Sequence, residues 1–139
     1  MTPWTLARIE DAVRSGWGAD TCEPAGRHRW HPGNPARGQS GATALVIHDL
    51  LGGELLRGEV YVDGVRTGHH WWNRFAPGVE TDLTREQFGP EETVTPGRAV
   101  ERPAELARLQ DEYRLLRDRV LTALDTGGTG GAAGAGERG

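Results

Sequence analysis

The chain has 139 residues, 36% hydrophobic and 26% charged, with a formal net charge of -4, a single cysteine and sixteen basic residues that are all arginine. There is thus no basic excess to release counterions from a nucleic acid, no lysine for Schiff-base chemistry or a Walker-type phosphate loop, and no internal disulfide framework. No apolar run approaches the ~20 residues of a membrane helix, and the first fifteen residues hold Glu10 and Asp11 in place of a signal-peptide apolar region, so a cytoplasmic protein without membrane or nucleic-acid partners is expected.

Along the chain, Thr2 before Pro3 predicts a helix start, with Leu6, Ile9, Ala12 and Val13 on one face and an end near Gly16. Residues 18 to 38 combine Gly and Pro with no periodicity and read as a long loop over the surface or over a site. From Gly41 to Leu51 nearly every side is apolar, the pattern of a helix buried within a domain, and Gly52 and Gly53 stop it. β-branched and aromatic residues then predict antiparallel strands over 54 to 62, 65 to 74 and 79 to 83, the first two joined by the Asp63-Gly64 turn. Thr84 and Gln87 have capping-box spacing, predicting a short helical turn before a Pro- and Gly-containing connector. Residues 103 to 125 are expected to form a long amphipathic helix through Leu106, Leu109, Tyr113, Leu116, Val120 and Leu124. That helix either packs on the sheet or offers a surface to a second copy or a partner protein. The stretch 127 to 139 has no large apolar side chain and is expected to be a disordered tail. The remainder, residues 1 to 126, reads as one α+β domain.

The second hairpin points to chemistry. With a loop over residues 74 to 78, Asn73 lies opposite Val79, Trp71 opposite Thr81, and His70 opposite Asp82. Cross-strand partners share a face, so Asp82 can accept from Nδ1-H of His70 and leave Nε2 as a base. Asn73 falls on the other face, and a one-residue slip would exchange the two candidates. A base with an orienting acid suggests a nucleophile at a buried helix start, where free N-H groups stabilise an anion. Ser40 sits there, either as a plain N-cap or as the nucleophile. Gln39 offers its side-chain amide, or the neighbouring backbone its N-H groups, to a developing oxyanion. Gly38 and Gly41 allow close approach of a substrate to the main chain. Trp72, on the face of His70, walls a substrate groove or packs in the core, and Asn73 and Trp30, the latter an anchor of the long loop, complete the substrate-contact candidates. Cys22, His28 and His31 are a poor match to zinc spacing, so neither a metal nor another cofactor is expected.

Together, Gly38-Gln39-Ser40 ahead of an apolar helix, His70-Trp71-Trp72-Asn73 and Asp82-Leu83-Thr84 resemble the YunG family of small bacterial proteins, whose segments run Gly-Gln-Cys, His-aromatic-Trp-Asn and Asp-Leu-Thr. More distantly, their order is similar to the transglutaminase-like branch of the papain-like cysteine enzymes. The resemblance implies a papain-like α+β core, with a nucleophile helix buried against an antiparallel sheet of three or more strands. It also implies acyl transfer or hydrolysis at an amide or thioester carbonyl of a small molecule or peptide, through Ser40, His70 and Asp82. Ser40 stands where the family pattern has Cys, and a hydroxyl cannot become the resting anion that a thiol can, so weak or absent activity is expected. The alternative is a non-catalytic protein that binds an amide or peptide in the same groove.

Overall fold

The computed structural model describes residues 4–102 and 109–130. The first helix, α1 (Leu6–Gly16), is capped by Thr5, whose side chain accepts from the Arg8 N-H, and it buries Ile9, Ala12, Val13 and Gly16. Thr2 and Pro3 lie outside the described residues, so the expected start there gives way to Thr5, which has the same capping chemistry. The long loop is not featureless: short 3-10 turns occupy Ala19–Thr21 and Pro24–Arg29.

The second helix, α2 (Ser40–Leu51), is buried at every residue from Ser40 to Ile47. Its apolar character on all sides has a clear cause, because α2 is the middle layer. One core cluster joins Ala42, Val46 and Ile47 of α2 to α1 and to Leu116, Val120 and Leu124 of the last helix, α3 (Gln110–Gly130). A second joins Ala44 and Leu45 to Leu55, Trp71 and Leu109. Leu116, Val120 and Leu124 thus pack on α1 and α2, while Leu109 and Tyr113 reach the cluster that holds Leu55 and Trp71 of the sheet, and a Cβ on Gly16 would stand 2.8 Å from Leu116 Cδ1. Residues 103 to 108 of the expected helix lie outside the described residues, and α3 runs on through residues 127 to 130, which composition placed in a tail.

Two long strands, β1 (Glu54–Val62) and β2 (Val65–Ala76), form the first hairpin, turned by Asp63 and Gly64 at positive φ, as the Asp-Gly pair requires. β3 (Val79–Thr81) pairs with β2; the short β4 (Glu92–Val94) and β5 (Arg98–Val100) both pair with the other edge of β1. The result is an α+β domain with a curled antiparallel sheet. β2 runs two residues further and β3 ends two residues earlier than the pattern predicted, and the connector supplies two strands of its own. The expected capping box is absent: the Gln87 amide donates to the Thr84 carbonyl instead, within the 3-10 turn Arg85–Gln87. Among the described residues, no helix is long and apolar enough to cross a membrane.

Candidate active site

His70 stands on β2 opposite Gly58 of β1 and is fully buried. Its ring stacks on Trp72 with centroids 5.3 Å apart and meets Phe88 edge-on at 4.8 Å. Nε2 lies 2.9 Å and 2.8 Å from the two carboxylate oxygens of Asp82. A carboxylate only accepts, so Nε2 carries a proton, and Nδ1 has no hydrogen-bond partner among the described residues. This reverses the expected use of the two nitrogens. The cause is register: β2 and β3 pair Asn73 with Thr81 and Ala76 with Val79, and Phe75 is an extra residue in the ladder. Val79 and Thr81 are therefore not the partners of Asn73 and Trp71, and Asp82 lies beyond the end of β3. Continuing that register sets Asp82 level with Trp72, a diagonal of about 7–8 Å from His70, so the carboxylate meets the far nitrogen of the ring. Arg85 fixes the carboxylate from behind, its Nε donating to Asp82 Oδ2 at 2.7 Å while its guanidinium lies 4.9 Å over the Trp72 ring.

Asn73 points to the other face, where its amide donates to the Ala44 carbonyl at 3.0 Å and fastens α2 to the sheet. Ser40 is the first helical residue of α2, not its cap; Gln39 is the cap and makes no side-chain capping bond. The N-H groups of Ser40, Gly41 and Ala42 consequently have no intrahelical acceptor. No hydrogen bond joins the Ser40 hydroxyl to His70, since Nδ1 is unpartnered and Nε2 belongs to Asp82.

Ser40 opens on a cleft of about 460 Å³, together with Gly38, Gly41, His69, Trp71 and Phe88. Trp72 faces away from it, its indole N-H donating to Glu80 at 2.7 Å, so Trp71 and not Trp72 walls the groove. The Gln39 side chain is likewise committed elsewhere: Oε1 accepts from Thr21 at 2.7 Å and Nε2 donates to the Gly18 carbonyl at 2.9 Å. The backbone alternative for an oxyanion is therefore the one with free donors. Trp30 anchors its loop by donating to the Pro35 carbonyl at 3.0 Å. Gly38, at φ +72°, has no room for a side chain, because a Cβ there would collide with Cys22 Sγ. Burial pushes the Cys22 thiol above its ordinary range, and among the described residues no group of His, Cys, Asp or Glu is arranged to hold a metal ion.

Phe88, Arg85, Gln87 and Trp71 are not among the site residues that the sequence pattern offers, though Trp71 shares strand parity with His69, which also lines the cleft. Phe88 lines the cleft and also covers His70, which does not itself line it. Diethyl pyrocarbonate should therefore modify the exposed His28, His31 and His69 while sparing His70. Peptide mapping by mass spectrometry checks this, and Phe88→Ala should bring His70 to a rate comparable with His69.

No curated protein and no solved structure matches the chain. The sequence profile of the family described as YunG protein matches residues 5–125, and the chain belongs to the YunG family.

Proposed function

We propose that this protein catalyses acyl transfer or hydrolysis at an amide or thioester carbonyl, on a papain-like, transglutaminase-like arrangement with Ser40 at the nucleophile position. One observation carries the reading: a fully buried imidazole, held through Nε2 by a carboxylate, keeps an unpartnered Nδ1. Leaving a buried acceptor unsatisfied costs about 1–3 kcal/mol, and a histidine serving only to fill the core would be relieved of that cost by a donor. An imidazole in the Nε2-H tautomer is a base at Nδ1.

In the proposed reaction Oγ of Ser40 bonds to the carbonyl carbon while its proton passes to Nδ1, and Asp82 supports the imidazolium. The carbonyl oxygen, now an oxyanion, is received by the uncapped N-H groups at the start of α2. Collapse breaks the bond to the amine or thiol, which leaves with the proton from Nδ1, and water or an acceptor amine repeats the sequence on the acyl-Ser40 ester. His70 does not line the cleft and lies beneath Phe88, which does, so Phe88 must swing aside before the hydroxyl and imidazole can close on each other, as catalytic contacts often do only when substrate is bound.

Their separation at rest favours a second reading, a groove that holds an amide or peptide without turning it over. Ser40→Cys separates the two. Under the catalytic reading the introduced thiol labels with iodoacetamide much faster than Cys22, and His70→Ala suppresses that labelling by roughly tenfold or more, since an imidazole-paired thiol is largely thiolate. Labelling that ignores His70→Ala supports the binding protein.

A further inference from the structure

Two short segments carry the proposed site, residues 38–41 at the start of α2 and residues 82–88 after β3, and among the described residues the Gln87 side chain hydrogen-bonds from one to the other. Gln87 is 7% exposed. Its Oε1 accepts from the Gly38 N-H at 3.1 Å and its Nε2 donates to the Thr84 carbonyl at 3.0 Å. Its own carbonyl accepts from the Asn34 amide at 3.0 Å. Gly38 stands two residues before Ser40, and Thr84 two residues after Asp82. Neither neighbour is free to drift: Cys22 Sγ backs Gly38, and Leu83 is buried in the core with Ala36 and Ala42. The residue after Gln87 is Phe88, whose ring rests on His70.

We infer that Gln87 is a positioning residue that sets the separation of the nucleophile position from the His70–Asp82 pair, by bracing Gly38 against Thr84 with the two ends of one amide. This role rests on the acyl-transfer reading for its consequence, but the joint itself is measurable without it. Its spacing from Thr84 is that of a capping box, yet the hydrogen bonds it makes link two distant segments and do not cap a turn.

The test uses the full chain carrying Ser40→Cys. Gln87→Leu removes both bonds of the amide and should slow iodoacetamide labelling of the introduced thiol by roughly tenfold or more, the order of effect expected when reacting groups shift by under 1 Å. The buried His70 Nε2-H should persist as a low-field proton resonance, because the pair with Asp82 is untouched. Combining Gln87→Leu with His70→Ala should bring no further loss. Gln87→Glu keeps the acceptor for Gly38 and loses the donor to Thr84, so its labelling rate should fall between the two. Unchanged labelling in either variant, with the low-field proton intact, overturns the inference. If Gln87→Leu does not fold, Gln87→Glu decides alone. Where labelling proves independent of His70 the catalytic reading fails, and amide resonances then judge the joint. In Gln87→Glu they should move at Gly38 and Ser40 as well as at Thr84, and movement confined to residues 84–88 overturns it.

Discussion

Trp72→Ala should lower the free energy of unfolding by about 3–5 kcal/mol, the range for deleting a large aromatic side chain from a core. Trp72 is 4% exposed, and its indole fills a slot shaped by the lack of two side chains. A Cβ added at Gly58 would come within 2.9 Å of the ring, and one at Gly97 would also collide with it. The glycines admit the ring, the ring stacks on His70, and an alanine would leave a void beside the imidazole. Urea denaturation checks the value, with a lower midpoint and an unchanged slope marking a true loss of native stability. Trp72→Phe should fall by less, because a six-membered ring still occupies part of the slot.

Asp82→Ala is the second large effect, and its origin is polar. It strips the acceptor from Nε2 of a fully buried ring whose Nδ1 already has no partner. A buried imidazole with neither nitrogen bonded should cost about 2–3 kcal/mol. The lost ion pair with Arg85 adds little, since the arginine side chain is 47% exposed and such pairs contribute about 0–1 kcal/mol. Asp82→Asn retains an acceptor oxygen and should lose less than half as much. Comparing the two variants by denaturant midpoint separates the hydrogen bond from the charge; equal losses in both would assign the effect to charge.

The parts of this molecule that the amino-acid pattern disclosed are those with a long or unambiguous signal. The stretch Ser40–Ile47 of α2, with no charged residue on any side, can only lie between layers, and Asp63-Gly64 supports few turns other than the one observed. β4 and β5 are three residues each, too short for alternation to be visible, and they exist because β1 offers a free edge for their backbones. The second hairpin shows how one residue redirects chemistry: the extra Phe75 shifts the pairing, and Asp82 reaches His70 from beyond the strand. Arg85, Gln87 and Phe88 sit on a turn, where no period relates sequence position to direction. Their contacts with the site come from tertiary folding of the 82–88 segment and have no local signature.

The seat of Cys22 also bears on the life of the molecule under oxidative stress. Its side chain is fully buried, and burial pushes the thiol above its ordinary range, so little of it is the thiolate that peroxide attacks. Peroxide therefore reaches this sulfur mainly in molecules that have opened, and its oxidation reports how much of the population is unfolded.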